Sequence, residues 1–217
     1  MVIMVRTEER RIYMENRRKT DRYRERKKIY NSSRKERTKE LSRINNQKIR
    51  ENAFIILGGA FCKKCKLSDV RFLTVNHING RKDKNETGHK LWRKIISGER
   101  DIDDLEVLCL NCNIIHEYTI GNRGGDNRSE IRQRRKIRAL SKIGTLECKS
   151  CKTDDIRVLS INHINGHEIK VTERKCIGHR LYRAIDCYGI DVTNFEILCM
   201  NCNILYEYER GIRKFIE

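Results

Sequence analysis

Eight of the ten cysteines form four C-x-x-C pairs: Cys62/Cys65, Cys109/Cys112, Cys148/Cys151 and Cys199/Cys202. Thiolates are soft anionic ligands, and two such pairs meeting at one point supply the four sulfurs of a tetrahedral Zn²⁺ site. The spacing predicts one zinc on Cys62, Cys65, Cys109 and Cys112, and a second on Cys148, Cys151, Cys199 and Cys202. Four protein ligands leave no open position, so both ions are expected to be structural. Redox-active dithiols would need a βαβ context that is missing here, and the pair spacing suits zinc knuckles better than iron–sulfur clusters. The other group able to do chemistry is a histidine inside the string NHING, which occurs twice, at His77 and His163. Asn and Gly make a turn unaided, so the imidazole either satisfies a backbone carbonyl or acts on a bound group.

These residues are mounted on a duplication. "CKKCKLSDVRFLTVNHING" (62–80) matches "CKSCKTDDIRVLSINHING" (148–166), while "DLEVLCLNCNI" (104–114) matches "NFEILCMNCNI" (194–204). Between the knuckles lie 43 residues in the first copy and 47 in the second, more than twice what a plain zinc ribbon needs. The β-rich runs "VRFLTVNHI" and "IRVLSINHI" read as strands ending at the histidine, and "LEVL" and "FEIL" as short second strands. A short helix at "GHKLWRKIISG" lies between them, and a helix follows the last Cys pair, with the asparagine of "NCN" as its cap. Basic helical segments precede each first Cys. "TIGNRGGDNRSE" reads as a linker. The expected organisation is a basic helical arm (1–50), a first module (51–118), a linker (119–128) and a second module (129–217).

The formal charge of +18 is concentrated at one end. Residues 1–50 carry 18 Lys/Arg against 7 Asp/Glu, with no Pro or Gly. Such an arm suits a polyphosphate, because neutralised phosphates release condensed counterions. The expected contacts are Arg17, Arg18, Lys19, Arg22, Arg24, Arg26, Lys27, Lys28, Arg34, Lys35 and Arg37. The arm lacks the bulky apolar residues of a membrane-surface helix, and without a wide apolar stripe it is expected to be unsupported until bound. DNA, duplex or branched, is the expected partner, with RNA as the other nucleic acid. No apolar run matches a membrane span or a signal peptide, so a soluble protein of the reducing cytoplasm is expected. Abundant Lys, Ile and Asn without Pro suit an AT-rich phage or mobile-element genome.

A strand ending in a residue–His pair, a loop, then "L-x-x-L-C-x-x-C-N" into a helix resembles the HNH (ββα-metal, or His-Me finger) endonucleases. It is similar to the zinc-knuckle branch that includes phage recombination endonuclease VII. The resemblance covers roughly residues 55–118 and 141–210 and implies a small zinc-stabilised α+β fold of two tandem ββα-metal modules. It implies that His77 and His163 are general bases, which neutral imidazole (pKa ~6.5) can be. It implies a catalytic Mg²⁺ or Mn²⁺ held by Asn76 and Asn113 in one module and by Asn162 and Asn203 in the other. The middle letter of the motif, which buttresses the histidine loop, falls on Asp104 and Asn194, so the second copy keeps the pattern more fully. Endonuclease VII has an acidic residue where this chain has Asn76 and Asn162.

Paired positions His89/His179 and Arg93/Arg183 are candidate phosphate contacts, with helix capping as their plainer use. Trp92 and Tyr182 are expected in the core, Cys176 and Cys187 as buried thiols, and His116 with no chemistry. The implied activity is phosphodiester hydrolysis leaving 5′-phosphate and 3′-hydroxyl ends, by a monomer acting as a covalent pseudo-dimer. The alternatives are a catalytically inactive zinc-dependent DNA- or RNA-binding regulator, and an assembly protein whose arm packs nucleic acid.

Overall fold

The computed structural model describes residues 2–80, 86, 88–121, 123, 127–164 and 178–215. The chain divides into a unit of Met1–Lys48 and a unit of Ile49–Glu217. The first is helical: α1 spans Val2–Lys19, and α2 spans Asp21–Ile56, its last turns belonging to the second unit. The helices part at Thr20, whose N–H and hydroxyl both donate to the Arg17 carbonyl, at 3.2 and 2.7 Å. Asp21 then opens α2, an acid at the positive end of a helix. Ile12, Tyr13, Ile29 and Tyr30 remain exposed along the arm. Among the described residues no helix is long and apolar enough to cross a membrane.

The second unit holds the duplication as a small α+β structure with two two-stranded sheets. In the first copy, β1 (Leu73–His77) pairs antiparallel with β2 (Leu105–Cys109); α3 (Gly88–Ser97) lies between them in sequence, and α4 (Leu110–Thr119) follows. In the second, α5 (Asn127–Ile143) precedes β3 (Leu159–His163), α6 (His179–Tyr188), β4 (Phe195–Cys199) and α7 (Met200–Glu209). The registers coincide: Asn76 faces Glu106 and His77 faces Leu105, as Asn162 faces Glu196 and His163 faces Phe195.

The structure departs from the sequence reading in four places. The strands start later than expected, because Val70–Phe72 is a 3-10 turn capped by Asp69. That carboxylate accepts the Arg71 N–H at 3.0 Å and grips its guanidinium at 2.6 Å. Asp155 does the same to Arg157, at 3.0 and 2.6 Å. Second, the caps of α4 and α7 are Cys109 and Cys199 rather than the asparagines. The sulfur of Cys109 accepts the Cys112 N–H at 3.4 Å, so a cysteine of the four-sulfur set itself takes the capping place. Third, Cys187 is exposed near the end of α6 rather than buried, while Cys176 lies outside the described residues. Fourth, α5 already begins at Asn127, inside the expected linker; part of that linker, and of the loop that is longer in the second copy, lies outside the described residues.

Each copy forms a small core, and in the second a further cluster of Ala139, Leu181, Ile185 and Phe195 joins α5, α6 and β4. Phe54, Leu73, Leu91, Val107 and Leu108 centre the first; Leu140, Val158, Leu159, Ile197 and Leu198 centre the second. Each is closed by the other copy: Ile204 and Leu205 of α7 pack on the first, Ile114 and Ile115 of α4 on the second. At about 1.5–3 kcal/mol per fully buried large apolar side chain, cores of this size leave little margin after chain entropy.

Candidate metal centres and a histidine cavity

Within each set of four cysteines the sulfurs lie within 4.8 Å of one another. Cys65 and Cys109 are 3.7 Å apart at sulfur, Cys151 and Cys199 3.6 Å. A disulfide would need about 2.05 Å. A tetrahedron with ~2.3 Å Zn–S bonds has edges of about 3.8 Å, so both sets could hold structural Zn²⁺. The first knuckle of each set is wound by backbone: Lys66 and Lys152 take φ of 63°, and their N–H groups donate to the Cys62 and Cys148 carbonyls at 2.9 Å. Lys63 N–H to Val107 O and Lys149 N–H to Ile197 O, both 2.9 Å, tie the knuckles to β2 and β4. The second knuckle comes from the strand end and the first helical turn.

The thiols of each set are shifted unequally. Burial raises the Cys62 thiol, but N–H donors from Cys65, Cys109 and Lys64 outweigh it and bring it down to about 7. Cys151, beside Thr153, is likewise brought down to about 7. Burial and the neighbouring charge of Cys109 push Cys112 well up, as burial pushes Cys202. Four thiols this close ionise together only around a positive ion.

The frame of each four-cysteine set places a second group of residues. Asn76 and His77 end β1, and Asn113 directly follows Cys112 in α4. All three line one cavity of about 530 Å³ together with Glu86, Trp92, Glu117 and Arg123. Asn76 is buried, and its Nδ2 donates to Glu106 Oε1 at 3.0 Å across the strand pair, which fixes the amide's orientation. Asn162 repeats this with Glu196 at 2.9 Å, and Asn203 Nδ2 donates to Ser160 Oγ at 3.0 Å. His163 stands edge-on to Phe195, with ring centroids 5.0 Å apart.

His77 has a further support. Its Nε2 lies 3.2 Å from Glu86 Oε2; Arg100 donates to Glu86 Oε1 at 2.9 Å and to Asp104 Oδ2 at 2.8 Å. Asp104 thus reaches the histidine through two side chains. At the matching second-copy positions stand Cys176, Ile190 and Asn194. Asp104 and Asn194 share a backbone role: their carbonyls accept the N–H of Ile78 and Ile164 at 2.8 and 2.9 Å, fixing the turn after the histidine.

No family model, curated protein or solved structure matches the chain. Its own geometry carries what can be said of the site.

The sequence reading missed two pairs of residues. His116 Nε2 donates to the Ile78 carbonyl at 2.9 Å, and Tyr206 OH donates to the Ile164 carbonyl at 2.6 Å. Lys64 donates to His116 Nδ1 at 3.3 Å, consistent with the proton on Nε2. Histidine and tyrosine at one repeat position look unrelated, yet each presents a donor at that reach. The strand glutamates Glu106 and Glu196 are the other pair; their identical register could have revealed them. Of the expected phosphate contacts, His89 and Arg93 are not among the cavity's lining residues. His179 and Arg183 are exposed on α6, whose cap residue Gly178 makes no side-chain cap bond, and Arg183 lies over Tyr188. Trp92 and Tyr182 pack against the cores while remaining partly accessible. In the arm, Arg17, Arg22, Arg24, Arg26, Lys27, Lys28, Arg34, Lys35 and Arg37 are exposed; the side chains of Arg18 and Lys19 lie outside the described ones.

Proposed function

We propose that the chain is a metal-dependent endonuclease of the HNH (ββα-metal) kind, hydrolysing DNA phosphodiesters with one site per module. The observation that carries this reading is the convergence of Asn76, His77 and Asn113 on one cavity, delivered there by a strand end and by the residue following a four-cysteine set. The donor set fits a hard divalent ion, being amide oxygens with the Glu86 and Glu117 carboxylates nearby. Asn76 with Asn113, and Asn162 with Asn203, would hold it. Mg²⁺ bound there would neutralise charge on the phosphate and on the departing 3′-oxygen.

The rest falls to the protein's own side chains. In the tautomer that carries its proton on Nε2, donated to Glu86, His77 would have its Nδ1 lone pair left to take a proton from water as its oxygen attacks phosphorus. The turn hydrogen bonds to Ile78 hold that imidazole in place, and Ile164 does the same for His163. The arm adds affinity for DNA without regard to sequence.

The test is nicking of supercoiled plasmid, with a four-way junction alongside, in Mg²⁺ or Mn²⁺ against EDTA. Metal-dependent cutting lost in the His77→Ala, His163→Ala double variant supports the reading. Equal binding without cutting by parent and double variant replaces it with a zinc-dependent nucleic-acid binder, for which the lack of a carboxylate in the pairs Asn76/Asn113 and Asn162/Asn203 is the favouring observation.

A further inference from the structure

We propose that Arg123 and Arg213 are the phosphate-binding residues of the two modules, each pre-positioned by the glutamate six residues before it. The proposal rests on the endonuclease reading of the same cavity and names how that cavity takes its anionic substrate.

The two stretches are EYTIGNR (117–123) and EYERGIR (207–213), sharing Glu-Tyr-x-x-Gly-x-Arg at the ninety-residue offset of the repeat. The glycines explain the geometry. Helices α4 and α7 end at Thr119 and Glu209, and Gly121 and Gly211 then take φ of 74° and 66°, the left-handed conformation that turns a chain back at a helix end. The arginine two residues later is returned to the helix it has just left. Arg123 N–H donates to Glu117 O at 3.1 Å, and Arg213 N–H to Glu207 O at 3.0 Å. In both copies the guanidinium Nε then donates to that glutamate's carboxylate.

The two copies agree in exposure as well. The arginine side chains are 50% and 51% accessible, and their glutamates 29% and 27%. A half-exposed ion pair contributes little to stability, about 0–1 kcal/mol, so stability alone does not account for its repetition. Among the described residues the pair engages Nε with the carboxylate, and this sets the plane of the two Nη groups. That fork matches two phosphate oxygens, and much of the side-chain entropy is already lost before binding.

Placement supplies the second argument. Glu117 and Arg123 line the cavity that holds His77, Asn76 and Asn113. A phosphodiester entering there meets the carboxylates Glu86 and Glu117, so it needs a cationic side chain; among the described lining residues Arg123 is the arginine or lysine available.

The experiment uses the full chain with one module silenced. In a His163→Ala background, Arg123→Ala, Arg123→Lys and the charge reversal Glu117→Arg, Arg123→Glu are compared; Arg213 is treated likewise with His77→Ala. Arg123→Ala should lower kcat/KM about 100-fold with the unfolding temperature and zinc content unchanged. Lysine should recover part of that loss as a point charge without the fork. The charge reversal should keep the helix-end clip and still fail to cut. Cutting at the background rate by Arg123→Ala, with a lowered unfolding temperature, would overturn the proposal and make the arginine a helix clip.

Loss of cutting on both histidine substitutions, with the arginine variants unaffected, would sink this proposal alone. If the parent does not cut any substrate, the endonuclease reading fails instead. The arginines are then judged by their Nε–H NMR signals as a short DNA duplex is added in EDTA. Signals of Arg123 and Arg213 that shift and saturate uphold the assignment, and signals that stay in place overturn it.

Discussion

Asn111 and Asn201 each donate a backbone N–H to the other's side-chain oxygen, both at 3.2 Å. The two residues hold equivalent places at the starts of α4 and α7, so the bonds mark an internal twofold relation. Each helix also covers part of the other copy's core, Ile204 and Leu205 packing on one and Ile114 and Ile115 on the other. Replacing both asparagines by alanine should destabilise the second unit by about 2 kcal/mol, roughly 1 kcal/mol per hydrogen bond, read by chemical denaturation.

Zinc should be stoichiometric and separable. Metal analysis should give two Zn²⁺ per chain, and Cys109→Ser or Cys199→Ser should each leave one. A structural zinc contributes on the order of 10 kcal/mol, so a strong chelator should unfold the second unit, as followed by near-UV circular dichroism.

The turn after each histidine offers a substitution with an internal control. His116→Phe removes the donor to the Ile78 carbonyl and should cost about 1–2 kcal/mol in denaturant unfolding. His116→Tyr should cost much less, because Tyr206 already makes the equivalent bond to Ile164.

Acid should act through Asp69 and Asp155. Hydrogen bonds from Arg71 and Arg157 hold these carboxyls below their ordinary 3.8. A depressed folded pKa stabilises above the unfolded value of ~3.9, and that contribution is lost as pH falls through the lower folded one. Asp69→Asn should therefore cost about 1 kcal/mol at pH 7, and its gap from the parent should close at strongly acid pH. Comparing the two proteins at each pH cancels the common effect of acid on the cysteine sites.

The arm makes a prediction about salt. Exchanging Arg22, Arg26, Lys27 and Lys28 for glutamine should weaken DNA binding on every sequence. It should also flatten the plot of log K against log[salt] by roughly 0.9 for each phosphate that is no longer neutralised. An unchanged slope would remove the arm from the interface.

Spacing made much of this legible. Thiolate pairs have few uses, and the repeat fixed which pairs belong together, so both four-cysteine sets could be read before any coordinates. Period-two patterning likewise placed the strands, though not the capping by Asp69 and Asp155 that shortens them. The reach of side chains was not legible. Nothing local in the sequence says that Glu86, Arg100 and Asp104 form a chain ending on His77, because the loop between them sets those distances. His116 looked idle because its partner is a carbonyl 38 residues away. The Glu–Arg clips went unread for another reason: the flanking letters differ, and only the glycine's left-handed turn brings the two ends together.

This mutual cover by α4 and α7 also bears on the moment of synthesis. The last ligand of the first zinc set, Cys112, leaves the ribosome roughly 90 residues before Ile204 and Leu205 do. At about 5–20 residues per second that is a delay on the order of 5–20 s. Through that interval the leading half has all four cysteines of its set yet keeps an uncovered apolar face. On a crowded polysome, the nearest cover for that face is the same half of a neighbouring nascent chain.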